Sequence, residues 1–402
     1  MGRGKVLLPA LLALAAGPAP AADGFSEWAG WASGQVRAFA EAPAYPAQED
    51  GTNLSFALQP DYYREWDGGR QSFTFVPFAR HDNLDPERSH ADIRELTWLR
   101  AADDWELGVG IRKVFWGVTE SVHLVDIINQ TDLVEDIDGE DKLGQPMVQL
   151  SLIRDWGTLE FFALPGFRER TFPGPKGRIR SEPPVDTGRT RFEAGNGIWH
   201  TDWAVRWSHT LGDWDIGLSH FYGTSRDPNY RLDFNDAGQP VLALGYPLIN
   251  QTGLDVQATL GDWLWKLEWI HRTGQGNYHA AAGGFEYTFV GIAGTQMDLG
   301  LIGEYLYDSR PLDISLTPFE DDVMLGLRLA VNDEASTELL FGAIQDLDSA
   351  QHFYYLEASR RLTDHWKLNL EGRAFSGIDP GQPLFATFTR DDYLQAELLY
   401  YF

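Results

Sequence analysis

The chain has 402 residues, no cysteine and a formal charge of −27. That balance excludes nucleic acid as a partner, since phosphate binding needs clustered positive charge, and an exported chain of this composition must hold together without disulfides. Its 15 Trp, 15 Tyr and 23 Phe sit in a chain of mean hydropathy −0.30, a pairing that suits a membrane barrel with aromatic girdles and a polar interior.

The N-terminus has the layout of an export signal. Arg3 and Lys5 precede an apolar run from Val6 to Ala16, Pro18 and Pro20 break it, and Ala19-Pro20-Ala21 fits the small-x-small cleavage rule. A signal peptide over 1–21 is expected, with the mature chain starting near Ala22 or Asp23. The run is too short to span a bilayer core of ~30 Å, and no later apolar run reaches the ~18 residues of a membrane helix.

Beyond it the pattern is period-two alternation. Trp203, Val205 and Trp207 alternate with Arg206 and Ser208. Trp263, Trp265, Leu267 and Trp269 alternate with Lys266, Glu268 and Arg272. Val323, Leu325, Leu327 and Leu329 alternate with Gly326 and Arg328, and Trp366, Leu368 and Leu370 with Lys367, Asn369, Glu371 and Arg373. Such segments are strands with unlike faces. They run about 10–13 residues, against ~5–6 for mean globular strands, and a tilted membrane crossing needs about 9–11.

Short turns rich in Asp and Gly recur at Asp67-Gly68-Gly69, Asp103-Asp104, Asp155-Trp156-Gly157, Leu211-Gly212-Asp213-Trp214, Leu260-Gly261-Asp262-Trp263, Gly294-Thr295, Asn332-Asp333-Glu334 and Thr363-Asp364-His365-Trp366. Long links fall at 41–50, 82–90, 116–145, 167–199, 226–246, 274–281, 309–319, 346–349 and 377–388. Threading the segments gives about 18 strands, with 16 possible, and both termini on the short-turn side. The expected fold is all-β: a transmembrane antiparallel up-and-down barrel over 22–402 with short periplasmic turns and long extracellular loops. The two Leu-Gly-Asp-Trp copies also admit a propeller, although the other turn spacings are irregular.

The third long link is distinctive. Val122, Val125 and Ile128 recur at helical spacing, which predicts a short helix, and Glu120, Asp126, Asp132, Glu135, Asp136 and Asp138 crowd around it. If folded into the lumen, 116–145 would place a negative field in a narrow passage; as an outer loop it would be solvated. The fourth link is basic, with Arg168, Arg170, Arg178 and Arg180, and would either oppose those acids across the pore or bind lipopolysaccharide phosphates. Arg206, Lys266, Glu268, Arg328 and Arg373 fall on the expected inner wall, where a wet lumen can hold charges that a packed core cannot.

Asp136-x-Asp138-Gly139 does not fit an EF-hand, because Val134 and Gln145 fall where ligands belong. A looser carboxylate cluster remains open, but no cofactor or metal motif is assigned. Ten scattered histidines, no Gly-x-Ser-x-Gly elbow and no His-Glu-x-x-His leave an outer-membrane lipase or protease as an alternative reading, beside a closed structural or binding barrel.

The final segment alternates Leu394, Ala396, Leu398, Tyr400 and Phe402, and stops on that aromatic. With the signal peptide and the strand pattern, it resembles the bacterial outer-membrane porin superfamily. The stretch Trp116-Gly117 through Asp126-Ile127-Ile128-Asn129 resembles a segment of uncharacterised proteobacterial porin-like families. The resemblance implies an outer-membrane channel for small hydrophilic solutes or ions, with a third loop that folds inward. It also implies partners in outer-membrane lipid, lipopolysaccharide and the barrel-assembly machinery, which would read Leu398, Tyr400 and Phe402.

Overall fold

A computed structural model describes residues 24–311, 319–378 and 387–402; the expected signal peptide and parts of two long links lie outside them. The first strands are β1 (Gly24–Phe39), β2 (Asn53–Trp66), β3 (Gln71–Asp82), β4 (His90–Ala101), β5 (Trp105–Arg112), β6 (Gln145–Arg154) and β7 (Gly157–Pro165). After the two-residue β8 (Arg191–Phe192) come β9 (Thr201–Leu211), β10 (Trp214–Thr224), β11 (Asn229–Phe234) and β12 (Pro240–Tyr246). Next are β13 (Leu248–Leu260), β14 (Trp263–Gly274), β15 (Gly276–Phe289), β16 (Asp298–Asp308), β17 (Asp321–Ala330) and β18 (Glu338–Asp346). The chain ends with β19 (His352–Arg361), β20 (Trp366–Ser376) and β21 (Tyr393–Tyr401).

Eighteen of these form one antiparallel sheet of sequential neighbours, and β21 pairs with β1 to close it. The remaining three, β8, β11 and β12, form a small separate sheet in the fourth and fifth links. Closure leaves no unpaired edge, which a sheet in lipid requires. Trp31 through Phe39 of β1 align with Tyr401 through Tyr393 of β21, and the backbones of Phe402 and Gly30 exchange hydrogen bonds of 3.0 and 3.1 Å.

The alternation is inverted relative to a soluble protein. Large apolar side chains such as Phe56, Leu325 and Leu394 are exposed (57, 61 and 59 %), while Ser33, Gln35, Arg37, Glu268 and Arg373 between such positions are buried. An apolar face turned outward and a polar face turned inward is the pattern of a membrane-spanning barrel. Trp156, Trp214, Trp263 and Trp366, all exposed, stand at short turns, where an interfacial belt belongs. Trp263 stacks on Trp265 at 5.5 Å and meets Tyr287 at 4.7 Å.

All eight short turns fall where the Asp and Gly residues put them. The link at 274–281 does not: β14 runs to Gly274 and β15 starts at Gly276. Positive φ at both glycines (99° and 86°) lets the chain reverse around Gln275 alone, so the apparent link is strand. The helix expected around Val122–Ile128 is also absent. Among the described residues there are only three-residue 3₁₀ turns. The amides of Val118, Thr119, Glu120, Ser121 and Val125 bond to wall carboxylates instead of helical carbonyls.

The closing strand gives a first expectation. Deleting Phe402 removes the backbone pair to Gly30 and the terminal aromatic, and its level in heat-modifiable, membrane-inserted form should fall several-fold. Semi-native electrophoresis of membrane fractions checks this; an unchanged level would separate Phe402 from assembly.

Candidate functional site

The third long loop (113–144) lies against the inside of the barrel. Trp116, Val125, Ile127 and Ile128 bury together with Met147, Phe162, Leu164, Phe221, Ile249, Ile270 and Tyr278, inward positions where β6–β15 swap polar for apolar side chains. Trp116 meets Phe162 edge-on at 5.6 Å, and Arg206 lies 5.1 Å over the Trp116 ring. Four buried apolar side chains of this size contribute at most ~1.5–3 kcal/mol each.

Two wall carboxylates fasten the loop. Glu268 of β14, 0 % exposed, accepts from Val118 N (2.7 Å), Thr119 N (3.1 Å) and Thr119 Oγ1 (2.8 Å) on one oxygen and from Val125 N (3.1 Å) on the other. Glu304 of β16 accepts from Glu120 N (2.7 Å), Ser121 N (2.9 Å) and Ser121 Oγ (2.6 Å). Glu120 then reaches Arg328 at 2.6 Å and Lys266 at 3.5 Å. Glu268 therefore does not line a free passage; the loop covers it. Glu304 escaped the sequence reading. Its only signal there is a lone carboxylate at an inward position within Leu301-Ile302-Gly303-Glu304-Tyr305-Leu306.

The loop's acids are largely compensated. Asp126 pairs with Lys142 at 3.1 Å, Asp132 with Arg94 at 2.5 Å, and Glu135 with Arg80 at 2.8 Å. Burial pushes the Asp126 carboxyl above its ordinary value, and Lys142 only partly offsets this. Burial opposes charge on Glu135 too, but Arg80 and Arg88 hold it below its ordinary value. Burial and the neighbouring Asp136 raise Asp138 well above the usual carboxylate range, although Arg373 is 3.1 Å away. Asp136 accepts from Ile137 N at 2.6 Å. Burial disfavours a charged His123, yet Glu140 at 2.6 Å and Glu268 hold its pKa up at about 10, so it is a cation at neutral pH. These acids act as tethers more than as an uncompensated negative field.

The arginines of the fourth link are distributed differently from the expected facing row. Arg168 binds Asp92 at 2.8 Å, Arg178 binds Asp391 at 2.9 Å, and Arg180 binds Glu182 at 2.6 Å. Arg178 lies 4.2 Å from the Phe39 ring, and Ile179 buries with Phe375, Phe388 and Tyr393. This link, which leaves β7, thus reaches the wall of β20 and β21. Arg170 joins Arg272 and Arg310 around Asp227, at 2.8, 2.8 and 3.9 Å. Burial opposes charge on Asp227, but Arg272, Arg170 and Arg310 hold it far below the usual carboxylate range. Arg206 is clamped by Asp255 at 2.7 Å; Arg373 bridges Glu357 at 2.9 Å and Asp138.

Between the two inward links and the wall lies a cavity of about 600 Å³. Its lining includes the ion-pair cluster of Arg170, Arg272 and Asp227 and the apolar cluster of Leu306, Ile344 and Tyr355. Glu120, Asp126, Asp138, Arg180 and Arg373 also line it. Asp132, Glu135, Asp136, Arg168, Arg178, Arg206, Lys266, Glu268 and Arg328 do not. Space of this size admits a small solute. Asp227, Arg272 and Arg310 were missed as site residues because they come from three separate segments and carry no local motif.

His90, Asp132 and Glu135 bring ligand atoms within 4.8 Å of one another. Arg80 and Arg94 already neutralise the two carboxylates, so this cluster is an ion-pair knot and not a vacant cation cage.

No protein-family model matches the chain, and no curated protein matches it in sequence. Solved structures do match in shape. Pseudomonas aeruginosa OpdQ aligns at TM-score 0.54 and 11% identity, over 95% of this chain and 99% of that one. P. aeruginosa OccK11 (OpdR) aligns at 0.50 and 11%, over 94% and 95%. A mutant of the Rh. blastica porin aligns at 0.44 and 11%, over 94% and 100%. At these identities the likeness to OpdQ and OccK11 speaks to architecture alone, and with the closed eighteen-strand sheet it shows a porin-like β-barrel fold.

Proposed function

We propose that the protein is an outer-membrane channel for passive diffusion of small hydrophilic solutes or ions. The observation that carries this reading is the charged and polar lumen. A barrel serving only as a scaffold gains nothing from placing Arg206, Arg272, Arg328 and Arg373 on its inner face, where each needs a partner or water. A water-filled passage gives those charges a use. The cavity beside the third loop is the narrow region, lined by Arg170, Arg272, Asp227 and Glu120. Solutes that fit about 600 Å³ pass, and larger ones are held back. Outer-membrane lipid and lipopolysaccharide face the exposed apolar band, and the barrel-assembly machinery reads Phe402. Catalysis has no support from the site, whose charged groups are engaged in ion pairs and loop tethers.

Liposome swelling with sugars of increasing size tests the reading. Purified protein should admit small sugars and exclude oligosaccharides. Equal rates with and without protein for every solute would remove passive diffusion and favour a closed barrel.

A further inference from the structure

Most buried carboxylates of this barrel have a basic partner or a set of loop amides. Asp202 has Arg226, Asp255 has Arg206, Asp82 has Arg88, and Glu304 has the loop. Asp322 and Asp346 differ in facing each other with no basic side chain paired to either among the described residues, although Asp346 also accepts from loop amides. They stand directly opposite each other on β17 and β18, at the long-loop end of the barrel. Both are buried, at 3 and 5 % exposure, and neither has an ion-pair partner among the described residues. Directly paired strand residues lie ~4.5–5.5 Å apart at Cα, so two like charges here repel at short range and in poor solvent.

A second observation concerns the same spot. Gln351, at the foot of β19, is 6 % exposed, and its side-chain oxygen Oε1 is buried without a hydrogen-bond partner. Asp322, Asp346 and Gln351 together line a small cavity of about 10 Å³, room for one water-sized occupant. No arginine or lysine lines it; His352 does, with its Nδ1 held on the Ala350 carbonyl at 2.9 Å, and the remaining walls are apolar: Phe319, Ile344, Phe353, Phe375 and Ile378. Asp346 is already oriented, accepting from Asp348 N (2.8 Å), Ser349 N (3.1 Å) and Ser349 Oγ (2.7 Å).

We propose that Asp322, Asp346 and Gln351 form a binding site for a hard divalent cation of the calcium type. The donors are all oxygens: two carboxylates that need a positive charge and one amide carbonyl that needs a donor or a metal. Calcium takes six to eight oxygens in flexible geometry, so water and nearby backbone carbonyls complete the set. A bound cation cancels the repulsion between β17 and β18 and satisfies Gln351. It also ties the 347–351 link to the wall at the outer rim, beside the cavity residues Ile344 and Phe353. A single water could hydrogen-bond Gln351 but would leave the two charges opposed.

Calcium titration calorimetry on chelator-stripped, lipopolysaccharide-free protein in detergent tests the site. The wild-type chain should show one saturable site in the range of ~10⁻⁵–10⁻³ M, and calcium should raise its unfolding temperature. Asp346→Asn and Asp322→Asn should each weaken binding at least tenfold, whereas Asp155→Asn on an exposed turn should not change it. Gln351→Glu adds a charged ligand in place of the amide and should tighten binding, which keeps the test decisive if an Asp variant fails to fold. Absence of a saturable site in the wild type, meaning that water alone occupies the cavity, would overturn the proposal. So would Asp346→Asn or Gln351→Glu titrating like the wild type.

Discussion

Replacing Glu268 by alanine will free the third loop from the wall and raise single-channel conductance, with marked current noise. The wild-type carboxylate accepts three backbone amides and one hydroxyl from this loop, at 2.7–3.1 Å. Hydrogen bonds to a charged acceptor contribute ~1.5–3 kcal/mol each, and they are not additive within one cluster. A docking loss of about 3–5 kcal/mol is the expected order, because the amides stay buried without partners. His123 loses an anionic neighbour at the same time, which further loosens the loop. The barrel strands do not depend on the loop, so the variant should stay heat-modifiable. Conductance in planar bilayers should roughly double or fluctuate between levels; a quiet channel with wild-type conductance would show that Glu268 is not the fastening.

The second large effect should come from Asp227→Asn. Arg170 and Arg272 each lose a partner at 2.8 Å, and Arg310 loses a nearby one. Uncompensated charge at a largely buried pair costs ~3–5 kcal/mol; the Asp227 side chain is 30 % exposed, so about 2–3 kcal/mol is expected. The cavity also becomes one unit more positive, and the reversal potential in a KCl gradient should move toward anion preference, most strongly at low salt. The pH response follows from the depressed Asp227 pKa. A carboxylate with a lowered folded-state pKa stabilises above its ordinary value of ~3.9 and loses that contribution only as pH falls below it. The Asp227 contribution to selectivity should therefore persist from neutral pH to about pH 5, and a change within that range should come from raised carboxylates such as Asp138. An Asp227→Asn variant with unchanged reversal potential and unchanged thermal stability would place Asp227 outside the conducting region.

The strands were legible because both faces of the barrel write on the sequence. Trp263, Trp265 and Leu267 outside and Lys266 and Glu268 inside impose a period of two, and Asp-Gly turns punctuate it. The closing strand was legible for the same reason, from Leu394 to Phe402. The Gly274–Gly276 reversal was not, because two flanking glycines read as the start of a loop when only Gln275 lies between them. The third loop was half legible. The apolar run from Val122 to Ile128 announced that it packs on something, but helical spacing misled, since Glu268 and Glu304 take the amides that a helix would use internally.

The charged site was least legible. Asp126, Asp132 and Glu135 read as a concentration of negative charge along the chain, whereas space supplies Lys142, Arg94 and Arg80. Pairing across a barrel joins residues far apart in sequence, such as Arg178 and Asp391, and leaves no spacing to detect. The Asp322–Asp346 pair is of the same kind: only strand register brings the two together.

The central claim is that the lumen conducts past a loop fastened to its wall. The most direct measurement is single-channel recording of purified wild-type protein in planar bilayers with KCl on both sides. Stepwise insertions of uniform, ohmic conductance are predicted. Stable, heat-modifiable barrels that insert and pass no current would contradict the account.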